Sequence, residues 1–266
     1  MVIHWYSLCV GLGVFVGIIL SGLLIRRTTG NGSEMWLRCL ERILPLALIA
    51  GIVGGRGVFV LYHLEYFIAN PSEIIAVWHG GWVWYGGFTV GLLVLYIYCR
   101  AQRVDFLRFA DILVPGVALG HAIARWGNFF NQEAYGAATT LPWGIAIDPS
   151  YRVAGFELAT HFHPTFLYES LLNIGIAGVA IWLLVRKNVQ TRVRGLIFAL
   201  YLGLYGFGRF GIEYLRIDPV PVWWGLRVPQ WWSLGLIVVA IGVGYVLLSK
   251  KTKDGSIAQS TAFVDR

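Results

Sequence analysis

Apolar residues along this chain gather into seven long runs with short polar connections between them. The runs cover about Val2–Ile25, Leu40–Tyr62, Trp82–Cys99, Phe109–Phe130, Pro164–Val185, Gly195–Gly211 and Trp231–Leu248. A helix needs roughly 20 apolar residues to cross a bilayer, so the runs predict seven transmembrane helices. Asp111, His121, Arg125 and Asn128 interrupt the fourth run. That run fits either a helix or a broken, re-entrant segment lined by protein.

The longest polar connection, 131–163, carries Pro142, Asp148, Pro149, Arg152 and Glu157, too many polar and turn-forming residues to face lipid. It predicts a small periplasmic head over the site entrance. Residues 249–266 form a short cytoplasmic tail. The expected architecture is an all-α integral membrane protein, residues 1–266 forming a single polytopic membrane domain with that head inserted in it.

Composition agrees with this pattern. Hydrophobic residues make up 57% of the chain and charged residues 13%, about half the share usual in a soluble domain. Tryptophan and tyrosine collect near the ends of the runs, where one ring edge can reach the headgroups. The net charge of +7 does not signal nucleic acid, because no finger, basic helix or RNA-binding sheet motif accompanies it. Fourteen Lys and Arg lie in alternate connections and the C-terminal tail, against Arg152, Arg216 and Arg227 on the other side. The positive-inside rule then places the N-terminus outside and the C-terminus in the cytoplasm. No cleavable signal peptide is expected. Cys9, Cys39 and Cys99 are isolated packing residues. His161 and His163 lack partners at metal-site spacing, so neither metal nor cofactor is expected.

Arg56, Arg125, Glu169, Arg209 and Glu213 lie within or at the ends of apolar runs, where a charge must be paired, snorkel or face a wet cavity. Any one of them reads equally well as a structural ion pair. Arg209 and Glu213 share a helical face at i,i+4 spacing. Several guanidiniums in one membrane cavity suit a phosphate, and a phospholipid headgroup is the obvious one. Residues 125–136 add amides, glycines and a carboxylate at the end of a run; Asn128 and Asn131 read alternatively as caps, Gly127 and Gly136 as turns. Gly80-Gly81 and Gly86-Gly87 bracket Tyr85 and permit close approach of a ligand or of another helix. Tyr85 itself is either a headgroup ligand or an interface anchor; His4 and Tyr6 also fit anchors.

The run Ala124-Arg125-Trp126-Gly127-Asn128-Phe129-Phe130-Asn131-Gln132-Glu133-Ala134-Tyr135-Gly136 resembles the signature of bacterial phosphatidylglycerol:prolipoprotein diacylglyceryl transferases. His4-Trp5-Tyr6, His163-Pro164 with Tyr168-Glu169, and Tyr205-Gly206 with Arg209, Glu213 and Arg216 follow in family order. The resemblance implies transfer of the diacylglyceryl group of phosphatidylglycerol to the thiol of a lipobox cysteine in a prolipoprotein signal peptide, releasing glycerol 1-phosphate. It implies a multi-pass protein of the bacterial inner membrane. By position it assigns phosphate contact to Arg125 and an essential role to Arg209. Tyr6, Asn128, Glu133, Gly136 and Glu213 also fall at functionally important family positions, and Arg216 is taken with them as substrate-binding.

One position departs from the pattern: Tyr85 stands where many members carry a histidine proposed as catalytic base. Tyr85, Glu133 and Glu213 are therefore alternative groups for deprotonating the thiol. A membrane transporter or flippase for a phospholipid headgroup or anion is the rival reading. It calls for internal repeats and paired broken helices, and the two halves show no such symmetry.

Overall fold

The computed structural model describes residues 5–186 and 194–264. His4, Lys187, Arg192 and Arg266 lie outside them. Among the described residues, eight α-helices follow in order: α1 (Trp5–Thr29), α2 (Ser33–Tyr62), the short α3 (Leu64–Ala69), α4 (Trp84–Ala101), α5 (Phe106–Phe130), α6 (Thr165–Val185), α7 (Leu196–Glu213) and α8 (Val228–Val264). Strands among the described residues are confined to two hairpins of two residues per strand, β1 (Ile145–Ala146) with β2 (His161–Phe162) and β3 (Val222–Trp223) with β4 (Leu226–Arg227).

Five helical stretches among the described residues are long and apolar enough to cross a membrane. One of them, Trp5–Tyr62, holds both α1 and α2 in 58 residues, about three times what one crossing requires. Large apolar side chains on these helices point outward, among them Leu12, Phe15, Ile19 and Leu23 on α1. In water such faces would be costly; in lipid they are the solvated surface. The fourth run, open to a broken reading in the sequence, forms the unbroken α5 with Pro115 inside it. Pro219 and Pro221 punctuate the approach to α8, which starts at Val228 with Pro229 in its first turn and continues as helix through most of the expected tail.

The chain divides into two compact units, Ile25–Phe109 and Met1–Leu24 with Ala110–Arg266. In the first, α2 packs on α4 where Gly54 meets Gly86; a methyl at either glycine would clash with the other's carbonyl and with a valine side chain. The bracket around Tyr85 thus serves helix packing through Gly86 and Gly87, while Gly80 and Gly81 adopt positive φ. Their carbonyls, with those of Glu73, Ile74 and Ala76, accept all five donors of buried Arg56. Phe59 and Phe67 lie 5.5 and 5.2 Å from its guanidinium, so this arginine organises the connection after α2.

In the second unit, α1 crosses α5 at two glycine pairs, Gly13 with Gly120 and Gly17 with Gly116. Asp111, which interrupts the apolar run of α5, caps α7 from a distance. Its carboxylate accepts from Gly195 N at 2.7 Å and Phe198 N at 2.8 Å, two amides that a helix start leaves unpaired. Residues 131–163 fold around Tyr135, Ile147 and Phe162, all buried. The Tyr135 hydroxyl donates to Tyr151 O and accepts from Val153 N, so one phenol holds the loop after β1. Gly136 N donates to His163 O at 2.8 Å and Ala137 N to Leu215 O at 2.7 Å, tying this segment to the ends of α6 and α7.

Candidate active site

The acidic centre of the second unit is Glu169, one turn into α6 and 1% exposed. A carboxylate at that depth is tolerated only when opposite charges surround it. Three arginines do so. Arg125 Nη2 from α5 lies 2.7 Å from Oε2, Arg209 Nη1 from α7 2.8 Å from Oε1, and Arg216 Nη1 3.5 Å from the same oxygen. Arg125 is thus paired with Glu169.

Each guanidinium is held by further groups. Arg125 donates through Nε to His121 Nε2 at 3.1 Å and through Nη1 to Asn128 Oδ1 at 3.2 Å. These contacts follow from helical spacing, since His121, Arg125 and Asn128 lie on one face of α5. Arg209 Nη2 stands 2.6 Å from Glu213 Oε2, the i,i+4 pair expected on α7. Arg227, at the end of β4, approaches Glu213 Oε1 at 2.7 Å and also donates to the carbonyls of Arg216 and Asp218. Arg216 closes the cluster on Asp218 at 2.7 Å. Burial alone would raise the Asp218 carboxyl, but Arg216 and then Arg227 outweigh it and hold it below the usual carboxylate range.

Exposure varies across this cluster. The Glu169 and Glu213 side chains are 1% and 0% exposed, whereas Arg125 is 17% and Arg227 21% exposed. Glu169 and Glu213 form the floor, and Arg125, Arg227 and Asp218, the last 28% exposed, lie on the open side. The directly ion-paired groups described are four arginines and three carboxylates (Glu169, Glu213 and Asp218), an excess of one positive charge. Moreover, Arg125 Nη2 meets Glu169 Oε2 at short range without the alignment of a hydrogen bond.

Glu133 joins through Asn128, whose Nδ2 donates to its Oε1 at 3.0 Å; Asn131 Nδ2 donates to the same oxygen at 3.3 Å. Its neighbours Gln132 and Ala134 both have positive φ, 51° and 57°, uncommon and strained for residues with a Cβ. The strain is held in place: the Gln132 side chain accepts from Asp148 N at 2.7 Å, and Thr165 Oγ1 donates to Ala134 O. Glu133 is consequently presented on a fixed, exposed turn just after α5.

Of the residues singled out in the sequence, Arg125, Asn128, Glu133, Arg209, Glu213 and Arg216 come together. Tyr6 packs against Gly127, where an added Cβ would lie 2.9 Å from the tyrosine ring, and it lies within electrostatic reach of Arg125 and Glu133. Gly136 sits in the crowded bridge to Arg216, where a Cβ would meet His163 and Leu215 O, each at 2.8 Å. Tyr85 opens α4 in the other unit, its ring edge-on to Trp84 at 5.9 Å. The sequence marks Glu169 as a buried charge without tying it to the site, shows Arg227 only as a connection charge, and gives no signal for Asp218.

Fold and site together define a multi-pass α-helical membrane protein with an ionic site built inside its apolar framework. A family model described as prolipoprotein diacylglyceryl transferase matches residues 1–246, and the chain belongs to that family. It is 41% identical over 244 residues to phosphatidylglycerol–prolipoprotein diacylglyceryl transferase 2 of Streptomyces coelicolor, covering 89% of this chain and 73% of that protein. Similarity to enzymes named phosphatidylglycerol–prolipoprotein diacylglyceryl transferase reaches 40% over 217 residues in Fervidobacterium nodosum, covering 81% of this chain and 72% of that protein. In Streptococcus uberis it is 37% over 253 residues, covering 94% and 92%.

Proposed function

We propose that this protein transfers the diacylglyceryl group of phosphatidylglycerol to the thiol of a lipobox cysteine in a prolipoprotein. The sulfur attacks the glyceryl carbon, the carbon–sulfur bond forms as the carbon–oxygen bond breaks, and the electron pair leaves with glycerol 1-phosphate. Family membership and the names of the relatives support the reaction. The observation that carries the site assignment is the pair of buried carboxylates, Glu169 and Glu213, beneath the more exposed guanidiniums of Arg125 and Arg227, with one positive charge in excess among the directly ion-paired groups. A phosphodiester bears one negative charge and accepts several N–H bonds at once, so Arg125, with Arg209, is the proposed clamp. Negative charge on the leaving phosphate grows as the bond breaks, and donors fixed beforehand by Glu169 stabilise it without reorganising.

Among the three candidate bases, Glu133 fits best. Both oxygens of Glu213 already face arginines and the side chain is 0% exposed. Glu133 receives its described hydrogen bonds on Oε1 alone, leaving Oε2 toward an incoming thiol. Asn128 then couples the base to the clamp.

The proposed setting is the bacterial inner membrane, with seven spans formed by α1, α2, α4, α5, α6, α7 and α8. The N-terminus lies outside, the C-terminus in the cytoplasm, and residues 131–163, which include Glu133, form the periplasmic head. Lys and Arg asymmetry supports this orientation. Incubating the purified protein with glycerol-labelled phosphatidylglycerol and a lipobox peptide tests the reaction. The expected products are a diacylglyceryl thioether and glycerol 1-phosphate in equal amounts; a cysteine-free peptide accepting lipid equally well contradicts it.

A further inference from the structure

Within the Ile25–Phe109 unit, α2 and α4 do not stay equally close along their length. Their backbones touch at Gly54 and Gly86, where no methyl fits. Further along, a methyl at Gly91 would stand 3.7 Å from Ala47 O, ordinary contact rather than a clash. Beyond that the pair opens into a cavity of about 280 Å³, lined by Met35, Arg38, Cys39, Arg42, Tyr98 and Gln102. The lining falls on two elements: 35, 38, 39 and 42 form one stripe of α2, and Tyr98 on the last turn of α4 is joined by Gln102 just past its end.

We infer that this cavity is a second phosphate-binding site, separate from the Arg125–Glu169 cluster, taking the phosphate of an anionic phospholipid headgroup or of a free phosphate monoester. Arg38 and Arg42 stand one turn apart on α2, so they present two like charges to one small space. Such a pair is mutually repulsive in an empty helix face and is relieved by an anion between them. The competing acid is weakly engaged. Glu34 meets Arg38 at 3.4 Å, the two side chains being 82% and 67% exposed, a geometry that binds an exposed pair poorly. The Gln102 amide supplies a neutral donor opposite the arginines, and Met35 gives an apolar edge beside them. A basic pocket between membrane helices with one apolar lip suits a lipid phosphate. The inference does not depend on the transfer reaction, because none of its residues belongs to the clamp.

Hydrogen–deuterium exchange on the full-length protein in nonionic detergent tests it, with dioctanoyl phosphatidic acid and inorganic phosphate as separate probes. The expected result is at least threefold slower exchange in peptides covering 35–42 and 98–102. The effect should disappear in Arg38→Gln/Arg42→Gln and persist in Arg26→Gln/Arg27→Gln, which removes the same charge outside the cavity. Slowing by the lipid alone identifies a headgroup site, and slowing by both probes at similar concentrations identifies a general phosphate site. No slowing in the wild-type protein with either probe overturns the inference without reference to any variant. Slowing that survives in a folded Arg38→Gln/Arg42→Gln protein overturns it as well.

Discussion

Arg125 of α5 and Glu169 of α6 lie 2.7 Å apart, the carboxylate fully enclosed and the guanidinium partly open. The arginine proposed for phosphate binding is therefore already neutralised from below. This arrangement solves two problems at once. A charged clamp survives in an apolar framework before substrate arrives, and its geometry is set by helices rather than by the lipid.

Glu169→Gln keeps the volume and removes the charge that three arginines share. Breaking a buried ion pair from one side costs on the order of 3–5 kcal/mol. The variant should unfold at clearly lower temperature in detergent and accumulate poorly, with a larger loss than Arg125→Gln, which orphans one carboxylate still held by two arginines. Thermal unfolding of the two variants side by side checks the ranking.

Arg227 joins the cluster from the β3–β4 hairpin, 14 residues beyond Glu213. Arg227→Ala should lower transfer while leaving the helices inserted, because Glu213 keeps Arg209. A double-mutant cycle with Glu213→Gln should give a coupling of roughly 1–3 kcal/mol, as neighbours in one network do. Additive effects of the two changes would remove Arg227 from the site.

Glu133→Gln preserves an acceptor for Asn128 and Asn131 but cannot take a proton. Turnover should fall at least tenfold while phosphatidylglycerol binding stays within about twofold, a loss confined to the chemical step. Unchanged turnover would shift attention to Tyr85, where Tyr85→Phe becomes the informative variant.

Much of this site could not be read from sequence, for physical reasons that differ by residue. Apolar runs were legible because lipid allows no other solvent for a helix surface, and the i,i+4 pair of Arg209 and Glu213 followed from helix geometry. Glu169 was visible as a costly charge, but its partners lie 44 and 40 positions away, beyond any local spacing rule. Arg227 looked like an ordinary connection charge until the hairpin turned it back on Glu213. Arg56 seemed to belong with the other buried arginines, yet five backbone carbonyls hold it in the other unit, and carbonyls leave no trace in side-chain identity. The positive φ at Gln132 and Ala134 was equally hidden, since neither is a glycine.

Asp218 gives the site a pH signature. Its carboxyl is held below the ordinary value of 3.8 by Arg216 and Arg227 against the effect of burial. A depressed folded-state pKa contributes stability that is fully present above the unfolded value and is lost as pH falls through the folded one. Stability of the wild-type protein should therefore decline from about pH 4 downward, and Asp218→Asn should be less stable at neutral pH with a shallower acid decline. Unfolding temperatures measured from neutral to acid pH check both.

The most direct test of the central claim is transfer from phosphatidylglycerol to a lipobox peptide by Arg125→Lys and Arg125→Ala, with folding verified for each. Arg125 reaches His121, Asn128 and Glu169 through three different nitrogens, and lysine offers only one. Arg125→Lys is predicted to lose at least tenfold in turnover at saturating lipid despite its retained charge, and Arg125→Ala more. A folded Arg125→Ala protein that transfers at the wild-type rate would contradict the phosphate clamp.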